Sequence, residues 1–416
     1  MTPASILFRN ARIFDGHSPD YLEPADVFVQ NGLIAEVSAK EIRRSVELII
    51  DLQRRVLMPG LIDNHVHVYA TEVDLSVTAR QRATYIAHFG SFSLRRSLDY
   101  GFTTVRDVAG ADAGLAQAVD QALFPSPRLF YGGAAISQTG GHGDFRRPWE
   151  DDQPPCGCVF HGAGDSRLVT IADGADAVRR AAREELRKGA RHIKIFGSGG
   201  VASPSDPLES VQFSTEEIRV AVEEAARHGA YVTAHCYGAE AVRRAVEHGV
   251  RCIEHGTLID EGTAAFLAQR GAYVVPTLVV LFALAEEGER LGFPAVSMAK
   301  LRTVHAKALS SLELMMRAGI KLGLGTDLLG KLQARQCEEF RIRREVQSPF
   351  QILQSATSIN AEILMQAGKL GCVAPGAHAD LLVVDGDPLS DIAVLTQNGQ
   401  KLPVIMKAGR FHKKLI

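Results

Sequence analysis

Residues 60–67 read Gly-Leu-Ile-Asp-Asn-His-Val-His, an apolar run that ends in two histidines separated by one residue. Side chains of a β-strand alternate between its two faces, so His65 and His67 point the same way and can share one cation. A similar apolar strand followed by a helix recurs along the middle of the chain. We predict eight such strands, at residues 61–67, 102–107, 128–134, 192–196, 230–235, 250–255, 272–277 and 320–327. Eight parallel strand–helix units predict an α/β fold, a closed (β/α)8 TIM barrel.

Helix signals separate these strands. Ser214 is followed three positions later by Glu217, the pattern of a capping box, and apolar residues recur at helical spacing after it. We predict further helices at 239–248 and 261–270 and a long helical region at 295–318.

Both ends of the chain are typical of short strands bounded by turn residues. These strands are predicted at residues 5–12, 25–38, 47–51 and 54–58, and near the C-terminus at 380–384 and 403–406. We therefore expect a small β-sandwich domain built from both termini, residues 1–59 together with 368–416. The (β/α)8 barrel would occupy residues 60–367.

Composition excludes several classes of protein. The 416 residues carry 46 Lys and Arg against 48 Asp and Glu, so there is no charge excess to attract nucleic acid or an anionic membrane. Arg9 and Arg12 interrupt the region where a signal peptide needs its apolar core, and the longest apolar stretch, 271–285, is too short to cross a bilayer. We expect a cytoplasmic protein with no membrane partner. Its cysteines are expected to be reduced, with Cys156-Gly-Cys158 in a plain loop.

Polar residues gather at the predicted C-terminal ends of the barrel strands, where functional side chains of such barrels project. Six of them could form a site: His65, His67, Lys194, His235, His255 and Asp327. Each alone has an ordinary structural explanation, since a strand-end aspartate often caps a helix and a lysine can extend its ammonium to solvent. Six together at one rim predict a shared metal site.

The pattern of His-x-His on strand one, Lys on four, His on five and six, and Asp on eight resembles the amidohydrolase superfamily. The likeness covers nearly the whole chain and includes the segments at 58–63 and 375–380. Four further segments resemble its prolidase-type group, at residues 137–142, 193–201, 234–237 and 253–256. That group hydrolyses Xaa-Pro and other dipeptides or N-acyl amino acids, and it includes relatives that cleave ochratoxin.

The resemblance implies two divalent metal ions, with zinc as the expected metal and manganese, cobalt or iron as alternatives. It implies that Lys194 reacts with carbon dioxide to give an N6-carboxylysine, whose anionic carbamate bridges both ions. The more buried ion would be held by His65, His67 and Asp327. The more exposed ion would be held by His235 and His255.

The implied mechanism is hydrolysis of an amide bond by a metal-activated hydroxide. Asp327 would accept the proton of the attacking water and deliver it to the leaving amine, and His255 would serve catalysis as a ligand. We expect Tyr237, two residues past His235, to donate to the developing oxyanion; the alternative is a rim aromatic that packs a loop.

Substrate contacts are expected outside the metal ligands. His142, in a Gly-Gly-His-Gly turn, and Tyr237 are the candidates, although His142 could instead fix the segment around Cys156. Arg146 and Arg147 are further candidates for a substrate carboxylate, with solvated surface charge as the alternative. The loop at 199–212 is long enough to act as a lid.

The sequence is compatible with three hypotheses of function. The first is a hydrolase of Xaa-Pro dipeptides or N-acyl L-amino acids, expected to be a homo-oligomer. The second is a cyclic-amide hydrolase or deaminase of the imidazolonepropionase or dihydroorotase kind; deaminases usually carry a Glu two or three residues after the strand-five histidine, whereas here the first acid is Glu240. The third is a catalytically silent relative, which usually loses ligands that this chain retains.

Overall fold

A computed structural model describes residues 4–146, 168–203 and 205–416. Arg147 and the pair Cys156 and Cys158 lie outside these ranges, so the expectations for them stay predictions. Cys236, Cys252, Cys337 and Cys372, the other four cysteines, are buried free thiols.

The described residues form strands at both ends of the chain and in the middle. In chain order these are β1 (Ser5–Ile13), β2 (Leu22–Gln30), β3 (Leu33–Ser38), β4 (Leu48–Asp51), β5 (Val56–Pro59), β6 (Leu61–Val66), β7 (Phe102–Asp107), β8 (Arg128–Tyr131), β9 (Ala135–Ser137), β10 (Val169–Ile171), β11 (His192–Phe196), β12 (Tyr231–Gly238), β13 (Cys252–Leu258), β14 (Tyr273–Val275), β15 (Lys321–Leu322), β16 (Leu381–Val384), β17 (Val404–Lys407) and β18 (Arg410–Lys414).

Helices connect the middle strands. They are α1 (Leu75–Thr78), α2 (Ala83–Asp99), α3 (Ala113–Asp120), α4 (Ala175–Arg187), α5 (Thr215–Arg227), α6 (Ala239–Glu247), α7 (Glu261–Arg270), α8 (Leu278–Glu287), α9 (Ala295–His305), α10 (Ala308–Arg317), α11 (Glu338–Arg343), α12 (Pro349–Ser355) and α13 (Ser358–Ile363), with short 3-10 helices at Gly330–Arg335 and Ile392–Leu395. The predicted capping box is present, because Ser214 and Glu217 each bond the other's backbone at the start of α5. No helix in the described ranges has both the length and the apolar composition needed to cross a bilayer.

The terminal strands form one mixed sheet of eight strands. Its order is β18-β17-β16-β5-β1-β2-β3, and β4 pairs with β1. Since β5 bonds β1 on one side and β16 on the other, strands from the two ends of the chain are joined in one continuous ladder. This sheet agrees with the expected small β domain, and it is a single bonded sheet instead of two.

The middle strands form two parallel sheets. One has the order β6-β7-β8, and the other has the order β10-β9-β11-β12-β13-β14-β15. Backbone hydrogen bonds connect both edges of the three-stranded sheet to the other sheet: Arg191 donates to Tyr131 O at 2.9 Å, and Asn64 donates to Leu324 O at 2.9 Å. The carboxyl ends of all these strands therefore open toward one region.

Three predicted barrel strands are at least three residues shorter than expected, and the seventh covers Tyr273–Val275 alone. The third ends at Tyr131, and a new strand begins after Gly133, whose φ of +72° interrupts the ladder. The eighth covers Lys321–Leu322 alone, because the Asn360 amide occupies both backbone groups of Leu324. Asp327 therefore lies in the segment beyond the strand and not at its end.

One predicted helix is divided. The region expected to be helical at 295–318 is the two helices α9 and α10, with a break at residues 306–307.

Candidate metal centre and active site

A cavity lies at the carboxyl ends of the parallel strands, and all eight residues predicted for the site line it. They are His65, His67, His142, Lys194, His235, Tyr237, His255 and Asp327. Residues from four strands and three loops thus meet at one place, although they are spread over more than half of the chain.

Three of these residues form a compact group of potential ligands. The ligand atoms of His65, His67 and Asp327 all lie within 4.8 Å of one another. Asp327 Oδ1 is 3.3 Å from His65 Nε2 and 3.2 Å from His67 Nε2. Burial opposes the charge of Asp327, but the two imidazoles hold its pKa well below the ordinary range. An ionised carboxylate between two imidazoles is a ligand set that suits a divalent cation.

A fully buried ion pair contacts His65 on the ring nitrogen opposite the candidate ligand atom. Its Nδ1 lies 2.7 Å from Glu254 Oε2, and the other Glu254 oxygen accepts from Arg106 at 2.6 Å. Neither Glu254 nor Arg106 has exposed side-chain surface. Burial raises the pKa of Glu254, but Arg106 and His65 outweigh it and hold that pKa well below the ordinary range. The carboxylate fixes the ring orientation of His65 and leaves Nε2 toward the cavity.

The other histidines have comparable partners on one ring nitrogen. His67 Nδ1 is 3.1 Å from Ala109 O, and His255 Nδ1 is 2.7 Å from Thr277 Oγ1. His235 Nε2 is 3.2 Å from Gly199 O. In each case the second ring nitrogen remains to serve as a ligand.

His235 and His255 form the second half of the site. Their ring centroids are 4.6 Å apart, and that of His255 is 5.3 Å from His65. Burial lowers the pKa of both imidazoles well below the ordinary value, so both are neutral at pH 7. A neutral imidazole has the lone pair that a metal ion requires.

Lys194 lies on β11 and is only 2% exposed. Burial lowers the pKa of its amine, against the opposing effect of Glu254 and Asp327. A buried amine shifted toward its neutral form is nucleophilic, which is the property needed for reaction with carbon dioxide.

Tyr237 covers the second half of the site. Its ring stacks on His255 with centroids 5.0 Å apart and meets His235 edge-on at 5.1 Å. Burial raises the pKa of its hydroxyl, so the group keeps its proton and can donate a hydrogen bond at neutral pH.

His142 stacks on His235 with ring centroids 4.3 Å apart, and its Nδ1 is 3.2 Å from Asp206 Oδ2. Arg146, a candidate for a substrate carboxylate, instead places its guanidinium on Asp144, with contacts of 2.7 and 2.6 Å. It is absent from the cavity lining that the described residues form.

The remaining described lining is apolar. It comes largely from α8, from loops and from the strand ends: Ala70, Leu75, Ala109, Phe145, Leu168, Val169, Phe196, Val201, Ala202, Val280, Leu281, Leu284, Phe293 and Leu329. Asp327 is the one carboxylate of this described lining.

The backbone at the rim is unusual at three positions. His255, Thr277 and Asp327 have φ values of +74°, +51° and +56°. Such angles are uncommon for residues other than glycine and cost free energy. At His255 the turn lets two consecutive residues, Glu254 and His255, both reach the neighbourhood of His65.

The donor set fits two divalent cations. Four imidazoles, one carboxylate and one amine able to form a carbamate converge on the cavity. One ring nitrogen of each imidazole contacts a protein partner, and the other nitrogen can bind a metal ion. Mixed nitrogen and oxygen ligation is suited to zinc and related metals.

Residues 56–410 match the profile of the amidohydrolase family. The chain belongs to the amidohydrolase family. It is 34% identical over 370 residues to ochratoxinase of Aspergillus niger. The matched region covers 86% of this chain and 76% of the relative. Among solved structures, an amidohydrolase is 48% identical with a TM-score of 0.94, and each chain covers 99% of the other. A prolidase complexed with N-methylphosphonate-L-proline is 44% identical with a TM-score of 0.93, covering 99% of this chain and 100% of that one.

The relationship to ochratoxinase and prolidase identifies this family member as a hydrolase that acts on amide or peptide bonds. The prediction of a prolidase-type amidohydrolase is confirmed at that level. Divalent metal is general in the family, and the group of His65, His67 and Asp327 is consistent with it.

Several residues that support the site were missed by the sequence analysis. They are Arg106, Asp206, Glu254 and Thr277. Glu254 stands next to His255 in the Ile-Glu-His-Gly segment, so strict strand alternation places the two on opposite faces. An acid directly before a predicted ligand, with an arginine at the end of another predicted strand, was the available signal.

Proposed function

We propose that this protein is a binuclear-metal amidohydrolase that cleaves the amide bond of Xaa-Pro dipeptides or N-acyl L-amino acids. The observation that carries the proposal is the paired arrangement of the four histidines. Two lie with Asp327 in one compact group, two lie beside them with neutral rings, and each has an outer partner that fixes its orientation. Zinc is the proposed metal.

Lys194 is the proposed link between the two halves of the site. Its buried side chain lines the same cavity as both histidine pairs, and burial lowers the pKa of its amine. We propose that it is carboxylated, since a buried ammonium beside two cations would be repelled, whereas an anionic carbamate would be attracted to both.

The ions, when bound, supply an activated water and an electrophile for the scissile carbonyl. Asp327, which is ionised, accepts the proton of that water and returns it to the leaving nitrogen. Tyr237, which keeps its proton, donates to the carbonyl oxygen as negative charge develops there. His142 contacts the departing amino acid.

The apolar lining favours a substrate whose acyl group is large and nonpolar. Val280, Leu281, Leu284 and Phe293 bring hydrophobic surface to the cavity without an additional carboxylate in the described lining to hold a free ammonium. This favours an N-blocked substrate over one with a charged amino terminus.

We also propose that the two parallel sheets form one barrel and that the terminal sheet is a separate domain. The backbone bonds at both edges of the three-stranded sheet support one closed (β/α)8 barrel, with β8 and β9 as parts of its third strand. We propose domain boundaries at 59/60 and 367/368, since the eight-stranded sheet uses residues up to Pro59 and from Leu381 onward.

The test is a substrate screen with protein reconstituted with zinc and bicarbonate. Xaa-Pro dipeptides, N-acyl amino acids and cyclic amides such as dihydroorotate are assayed for free amino acid or ring opening. Elemental analysis of the same sample is expected to give about two zinc ions per chain. Turnover of cyclic amides alone would replace the proposed substrate class, and one ion or none would remove the binuclear mechanism.

A further inference from the structure

One wall of the cavity is anchored by a lysine on a distant helix. Lys300, on α9, donates its ammonium to Gly200 O at 3.1 Å, to Ser203 O at 2.7 Å and to the carbonyl of Asp206. The side chain is 13% exposed. Three carbonyls of one loop thus converge on one cation, so the described part of the predicted lid is tied to the body of the protein.

Asp206, on the same loop, connects this anchor to His142. Its side chain is 1% exposed. Oδ2 lies 3.2 Å from His142 Nδ1, accepts from Gly200 N at 3.0 Å and is 3.3 Å from Gln212 Nε2. Oδ1 lies 3.7 Å from the Lys300 ammonium. Burial raises the pKa of Asp206, but His142 and Lys300 outweigh it and lower the pKa, which keeps the carboxylate ionised.

The contact with Asp206 determines which nitrogen of His142 carries a proton. An ionised carboxylate can only accept, so Nδ1 must be the donor, and Nε2 is left for other contacts. The ring is also confined by its neighbours. It stacks on His235 at 4.3 Å, and a Cβ on Gly200 would lie 2.5 Å from His142 Nε2 and 2.6 Å from His235 Nε2.

We propose that Asp206 and Lys300 are positioning residues that act through His142, fixing its tautomer and ring orientation at the cavity so that Nε2 meets the substrate. Lys300 holds the loop, the loop presents Asp206, and Asp206 holds the imidazole. The identity of the substrate rests on the proposed function, whereas the tautomer does not.

The first test is independent of turnover. Zinc-loaded protein with ¹⁵N-labelled histidine is examined by long-range ¹H–¹⁵N NMR, and His142→Asn identifies the signal. We expect wild type to carry the proton on Nδ1 and Asp206→Ala to lose that preference. Glu209→Gln is the matched control, because it removes an exposed carboxylate from the same loop and should leave the spectrum unchanged.

The second test is kinetic, with N-acetyl-L-proline as the probe. Asp206→Ala is expected to raise KM about tenfold or more while kcat stays within about threefold, since an ionic hydrogen bond to the positioned ring is lost. Asp206→Asn should have a smaller effect, because its amide oxygen can still accept from Nδ1. Lys300→Met should change KM in the same direction, and zinc content should be unaltered in all three.

A double-mutant cycle separates positioning from general structure. In a His142→Asn background, Asp206→Ala should have no further effect on KM. An equal effect in both backgrounds, a fall in melting temperature and kcat with KM unchanged, or an unaltered tautomer would each overturn the proposal. If Asp206→Ala does not fold, Asp206→Asn and Lys300→Met carry the same comparisons.

If the wild type hydrolyses no amide, the proposed function fails, but the NMR measurement still decides the positioning role. If Asp206→Ala loses the Nδ1 preference of His142 but the wild type shows no turnover, the proposed substrate is wrong and the positioning role stands.

Discussion

Replacing Glu254 by glutamine is the substitution with the largest expected consequence outside the cavity itself. Glu254 and Arg106 are 2.6 Å apart and neither has exposed side-chain surface. The substitution keeps the shape of the side chain but leaves the Arg106 charge with neutral partners only, Asn64 O at 2.6 Å and Tyr231 at 3.2 Å. Breaking a buried pair in this way costs about 3–5 kcal/mol of the free energy of unfolding.

The same substitution acts separately on the metal centre. Glu254 Oε2 is the outer partner of His65 Nδ1 at 2.7 Å, and loss of such a partner typically weakens metal binding by about 10–100-fold. Urea unfolding of the chelator-treated protein measures the first effect, and zinc competition with a chromophoric chelator measures the second.

A paired variant distinguishes the two effects. Arg106→Met combined with Glu254→Gln removes the orphaned charge, so we expect it to recover part of the lost stability while zinc affinity stays low. Glu184→Gln is the matched control, because Glu184 makes a similar two-contact pair with Arg187 on an exposed helix surface and should change neither quantity. If Glu254→Gln leaves both stability and zinc affinity at wild-type values, the role assigned to the buried pair is wrong.

Three further outcomes are expected. Lys194→Ala should reduce zinc content from about two ions per chain and abolish the ¹³C carbamate signal that labelled bicarbonate gives in wild type; a persistent signal would mean that another lysine is modified. Tyr237→Phe should lower kcat about tenfold or more with little change in melting temperature, whereas the exposed Tyr85→Phe should not, and equal kcat values would exclude the donor role. Burial lowers the pKa of Lys407 from 10.5 to about 8, so the folded state disfavours its charge, although the ammonium donates to Ser126 O at 2.8 Å. Urea unfolding at each pH should therefore show Lys407→Met losing ~1–3 kcal/mol of stability relative to wild type as pH rises from about 8 to 10.5.

The convergence of four candidate ligands was predictable because each lies on a strand or directly after one. His65 and His67 follow from strand alternation, and His235 and His255 follow from apolar runs that stop at a histidine. The structure places all four around one cavity, together with Lys194.

The supporting contacts were not predictable, because they depend on tertiary approach. Asp206 reaches His142 across 64 residues and Glu254 reaches His65 across 189 residues. The eighth strand was overestimated for a similar reason, since the amide of Asn360 bonds Leu324 from a helix later in the chain. Local periodicity reports which face a side chain occupies, and it carries no information on which distant group will meet it.

The left-handed backbone at His255, Thr277 and Asp327 has a consequence for engineering. Each such residue costs of order 1–3 kcal/mol, which packing in the rest of the protein must offset. Variants with glycine at these places would relieve that cost. Selection for heat resistance alone is therefore expected to remove two of the proposed ligand side chains and the hydroxyl that orients one of them. Improved versions of this enzyme would therefore have to be chosen by turnover and thermal tolerance together, with these three sites held constant in the library.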